Sequence, residues 1–118
     1  MNRDKLIAAG IDYDEGVERF GGNPAIFEKY LVKFFSTGYM EKIEQELNNG
    51  DFSGAFRTTH DLKGVTGNLS LNRCYQAICA LTEQLRARDA SVVYDNELSE
   101  TRFWYDRARS AVMEIAEE

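Results

Sequence analysis

The feature that most constrains this chain is the spacing of its apolar residues, which recur every three to four positions along almost its whole length. The single proline, Pro24, falls where one such run begins, and no alternating pattern extends beyond a few residues. Both facts point to an all-α fold. A short leading helix spans about Arg3 to Ala9 and stops at Gly10; a second runs from about Asp12 to Phe20 before Gly21-Gly22. Asn23 then reads as an N-cap with Pro24 at the first helical position, and Phe27, Tyr30, Leu31, Phe34 and Phe35 form an apolar stripe behind it. Gly38 interrupts this run. Tyr39, Ile43 and Leu47 continue the period as far as Asn48-Asn49-Gly50, a polar stop with glycine in the C′ role.

The next helix starts at Asp51 or Ser53 and turns Phe52, Phe56, Thr59, Leu62, Thr66 and Leu69 inward. A turn at Asn68 to Ser70 leads to a further stripe of Leu71, Cys74, Tyr75, Ile78, Leu81 and Leu85. After a break at Asp89 to Ser91, Val93, Leu98, Thr101, Trp104, Tyr105, Ala108, Val112 and Ile115 mark a long closing helix. Four long amphipathic helices with short links predict an antiparallel four-helix bundle, preceded by shorter N-terminal helices. The whole, residues 1–118, reads as one domain, with a leading segment at about 1–22 and the bundle at about 23–118.

Composition narrows the function classes. Twenty acidic against 14 basic residues give a net charge of −6, which argues against nucleic-acid binding, since that affinity comes largely from Lys and Arg displacing counterions. Cys74 and Cys79 lie five apart and point to different sides of a helix, so they predict no local disulfide and read as small core residues in a reducing compartment. One histidine and two separated cysteines make a metal or haem site the weakest option. No transmembrane-length apolar run or signal segment is visible, so the expectation is a cytoplasmic protein, with a monomer as the default.

The chemistry centres on the only histidine, His60. Lys63, Gly64 and Gly67 follow it three, four and seven positions on, along one helical stripe at the edge of the core. Two glycines within four residues of a helix interior cost roughly 1 kcal/mol each relative to alanine and require a compensating role. An open approach to the ring for a large partner supplies one. An exposed imidazole is a competent nucleophile toward a phosphoryl group, and Lys63 one turn away can stabilise the charge on the phosphoryl oxygens.

The run His60-Asp61-Leu62-Lys63-Gly64-Val65-Thr66-Gly67-Asn68-Leu69-Ser70 resembles the signature of histidine-containing phosphotransfer (HPt) domains, H-x-L-K-G followed by a small stretch and a turn. Gly10-Ile11-Asp12, Arg19-Phe20-Gly21-Gly22-Asn23 and the aromatic helix from Phe27 to Phe35 resemble the family's N-terminal half, so the similarity covers roughly residues 10 to 90. The resemblance implies a phosphorelay intermediate with His60 as phosphoacceptor and Lys63 and Gly64 as its support. It implies exchange with aspartates of response-regulator receiver domains, and with a hybrid sensor histidine kinase as a further candidate partner. It also implies a carrier without its own ATP site or intrinsic cofactor, with Mg²⁺ on the receiver. Many family members place glutamine or glutamate twenty-two residues beyond the histidine to orient the ring; Thr82 stands there, with Glu83 and Gln84 beside it, and is a candidate contact to the imidazole or phosphoryl group. Where the family often has glycine this chain has Ser70, read here as an N-cap for the next helix.

Two rival readings stay open: a bundle that binds receivers or other helical proteins without turnover, and the phosphoacceptor part of a larger hybrid histidine kinase. Met1 and the leading segment favour a free-standing protein. The aromatic residues Phe27, Tyr30, Phe34, Phe35, Phe56 and Trp104 read as core, whereas Arg86, Arg88, Arg102, Arg107 and Arg109, interleaved with acids, read as a solvated face. Leu6, Ile7 and Ile11 read as exposed apolar surface that caps the bundle near His60 and meets a receiver.

Overall fold

The computed structural model describes residues 2–116, which contain seven helices and no strand. They are α1 (Arg3–Ala8), α2 (Tyr13–Arg19), α3 (Pro24–Phe34), α4 (Tyr39–Asn48), α5 (Phe52–Asn68), α6 (Asn72–Gln84) and α7 (Asp95–Ala116). The starts are chemically explicit. Asn2, Asp12, Asn23 and Asp51 each sit at an N-cap with a side-chain oxygen accepting from a backbone N–H of the first turn. The ends are equally local. After α4, Gly50 at φ 72 lets the Asp51 N–H donate to Glu46 O at 2.8 Å, a left-handed cap that stops the helix and reverses the chain.

Helices α4 to α7 pack consecutively, and Arg102 of α7 reaches Glu44 of α4 at 2.7 Å, closing the ring into an antiparallel four-helix bundle. The interruption at Gly38 is a full break: its backbone lies at φ 72, and α3 departs from the axis of α4 to pack on α2 and α7. There Phe34 and Phe35 meet Tyr105 edge to face, at 6.1 and 5.2 Å between ring centroids.

One apolar cluster runs through the molecule from Leu6 and Ile11 to Val112. This corrects the expectation for the leading segment. Leu6 is 0% and Ile11 1% exposed, so α1 is anchored in the core through Leu6, and of the three apolar residues Ile7 alone faces outward. A six-residue helix can do this because α7 offers it a long flank to lie on. Tyr30 is a second correction: it is exposed and leans on Phe20, at 5.2 Å between rings. Trp104 is only half-buried, with its indole N–H donating to Glu100. Val93 lies exposed in the loop before α7 and not in the helix, and the side chain of Ile115 lies outside the described residues.

Candidate functional site

The site is built on the outer face of α5. Its inner face carries Phe56, Thr59, Leu62 and Thr66, and the two threonines donate their hydroxyls to carbonyls of the preceding turn, so polar side chains enter the core with their bonds made. That anchoring fixes the rotation of α5 and leaves His60 exposed, with Lys63 half-buried one turn on. Among the described residues the imidazole makes no side-chain hydrogen bond; its nearest ring is Phe56, at 6.3 Å between centroids and tilted by 36°.

Two depressions share His60. The larger, an open groove of ≈ 450 Å³, brings His60, Lys63, Gly64 and Gly67 together with Glu15 and Arg19 of α2 and Tyr75 of α6. The smaller is walled by Phe56, Arg57, Asp61 and Arg88. The imidazole stands on the ridge between them.

The two glycines differ in their surroundings. A Cβ at Gly64 would meet nothing within 4 Å, whereas one at Gly67 would stand 3.3 Å from the Tyr75 ring. Gly64 thus leaves space open to the outside, while Gly67 lets the ring of α6 lie against α5. The sequence assigned both glycines to open approach; for Gly67 the packing of Tyr75 supplies an internal reason.

Thr82 is not brought to the imidazole. It is 2% exposed and its hydroxyl donates to Ile78 O at 2.7 Å, so it borders the core and lines neither depression. Its neighbour Glu83 is exposed; the hydrogen bonds and charge of Arg86 hold its carboxyl below the usual range, with the Lys63 charge adding to the effect. Ser70 corrects another expectation. It does not cap α6 but ends α5 at φ 54, where Leu71 N–H donates to Thr66 O at 3.0 Å, the position glycine usually takes. Its buried hydroxyl donates to Glu15 at 2.8 Å.

The sequence did not reveal the α2 wall, and it marked Arg88, which is exposed and lines the smaller depression, only as part of a solvated face. Glu15 and Ser70 are 55 residues apart, and no local pattern signals a contact of that kind. The segment leading into α2 is bolted on by Asp12 N–H to Ser70 O at 2.9 Å, and Arg73 N–H donates to Gly10 O at 3.1 Å. Those bonds carry Arg19 to the rim of the groove.

An exposed nucleophilic imidazole, an adjacent ammonium and an open approach, set on a four-helix bundle, define a histidine phosphotransfer module. The chain belongs to the Hpt domain family: the family model described as Hpt domain matches residues 33–116, from the end of α3 through α7. No protein of curated function and no solved structure matches it. Membership implies histidine phosphotransfer within a phosphorelay, in which such domains are phosphocarriers and not ATP-binding kinases, and interaction with receiver domains. Helices α1 and α2, which supply Glu15 and Arg19, precede the matched stretch. Among the described residues no helix is long and apolar enough to cross a membrane, and no group of three His, Cys, Asp or Glu is placed to hold a metal.

Proposed function

We propose that His60 is the phosphoacceptor of a relay intermediate, taking a phosphoryl group from one receiver-domain aspartate and giving it to another. The observation that carries the reading is the pairing of an exposed imidazole with a glycine, Gly64, whose outward side is open space. In the forward step the lone pair of the unprotonated ring nitrogen forms the P–N bond as the acyl-phosphate P–O bond breaks. The aspartate leaves as carboxylate, and the other ring nitrogen keeps its proton. Lys63, one turn away, balances charge on the phosphoryl oxygens. Gly64 lets the partner's backbone come close, and Mg²⁺ belongs to the receiver side. The protein works in the cytoplasm as a monomer.

The test is transfer from a labelled receiver phosphoaspartate to the wild type and to His60→Gln, followed by return of label to a second receiver. Acid-labile, alkali-stable label on the wild type alone supports the reading. A folded protein that binds receivers yet takes no label would make it a binding module.

A further inference from the structure

The chain leaves α6 through a turn in which the Arg88 N–H donates to Leu85 O at 3.0 Å and Arg88 itself stands at φ 59. Side-chain-bearing residues avoid that left-handed region, and where it persists in a non-glycine residue the side chain it aims merits a functional question. Here the side chain is aimed back onto α5. The guanidinium carbon lies 4.3 Å from the centroid of Phe56, the ring beside His60, and Arg88 and His60 wall the same depression together with Arg57 and Asp61. Arg86, two residues earlier, also nears Phe56, at 5.9 Å, but it is committed to Glu83 through bonds of 3.1 and 2.6 Å. Among the described residues the Arg88 guanidinium makes no hydrogen bond or ion pair. It is a planar set of N–H donors, held in place by an aromatic face and left unspent.

We propose that Arg88 is a second phosphoryl-binding cation of this site, contacting the phosphoryl oxygens from the side of His60 away from Lys63. The inference rests on His60 being the phosphoacceptor. The covalent step is the one already written, P–N formed and aspartyl P–O broken; Arg88 adds hydrogen bonds to the equatorial oxygens and transfers no proton. The larger depression thus holds Lys63, with Arg19 at its rim, and the smaller holds Arg88, with Arg57 beside it, so that His60 has cations in both.

The experiment compares initial rates of transfer from a phosphorylated receiver, and of labelling by phosphoramidate without any receiver, for the wild type, Arg88→Gly, Arg88→Lys, Arg86→Gln and His60→Gln. Arg88→Gly removes the guanidinium while suiting the left-handed backbone, so it keeps or gains thermal stability. The account expects it nonetheless to slow both reactions about tenfold, the worth of one charge-assisted hydrogen bond. Arg88→Lys recovers part of the rate, and Arg86→Gln stays within about twofold of the wild type. Rates for Arg88→Gly within twofold of a labelled wild type overturn the proposal and leave His60 as acceptor. No label on the wild type overturns the acceptor reading, and the proposal with it.

Discussion

The hydroxyl of Ser70, a residue held at φ 54, donates to the Glu15 carboxylate at 2.8 Å and so ties the turn between α5 and α6 to α2. Glu15 in turn accepts from Arg19 Nε at 3.4 Å. The strained turn and the far wall of the His60 groove are therefore one connected unit.

Two substitutions at Ser70 separate the strain from the bond. Ser70→Ala loses the hydrogen bond and keeps the left-handed backbone, so it destabilises by about 1–2 kcal/mol. Ser70→Gly loses the same bond but relieves the backbone, which offsets about 1 kcal/mol of the loss. Urea denaturation should rank wild type and Ser70→Gly close together with Ser70→Ala below both; the reverse order of the two variants would mean that the turn carries no strain.

At Gly64 stability and activity should move in opposite directions. Gly64→Ala gains helix propensity, about 0.5–1 kcal/mol, because its Cβ meets nothing inside the molecule. It should nevertheless slow transfer from a receiver while leaving phosphoramidate labelling unchanged, since only the large donor needs that space. Gly67→Ala shows no such gain, because its Cβ presses the Tyr75 ring at 3.3 Å. Paired thermal melts and transfer assays check both variants.

Leu6→Ala should cost about 2–4 kcal/mol, because the side chain is 0% exposed in the common core. Ile7→Ser, its outward-facing neighbour, should stay within about 0.5 kcal/mol of the wild type. Equal midpoints in urea would mean that α1 is not part of the core.

At alkaline pH the molecule should weaken. Burial and the bond to Glu28 raise the Tyr13 hydroxyl from 10.0 to about 12, and burial raises the Cys74 thiol from 9.0 to about 12. Burial also raises Tyr105 from 10.0 to about 12. Each folded value lies above the unfolded one, so the stability these groups contribute is fully present below pH 9 and lost as pH rises toward 12. Absorbance titration at alkaline pH should find Tyr13 and Tyr105 ionising late, with Tyr75 also shifted upward through its bond to Cys79. Native-state ionisation of all tyrosines together near the ordinary value would contradict the packing described.

What the sequence showed plainly was whatever is decided within a turn of the chain. The cap at Asn23, the stop at Gly50 and the stripe on α5 are local chemistry, and each stands where the spacing put it. The His60, Lys63, Gly64 cluster was legible for the same reason, since helical geometry alone places the three side by side. Features decided by distant partners were hidden. The inward turn of Leu6 depends on α7, the second role of Gly67 on Tyr75, and the aim of Arg88 on a backbone angle at the end of α6. Thr82 looked like a site residue by register, yet the rotation of α6 buries it and its hydroxyl is spent on Ile78.

The most direct measurement is phosphorus NMR of the protein after incubation with a phosphorylated receiver, run beside His60→Gln. The account predicts a single phosphoramidate resonance correlated with the ring protons of His60 and absent from the variant. A spectrum holding only inorganic phosphate, or a protein-bound resonance that survives in His60→Gln, would contradict it.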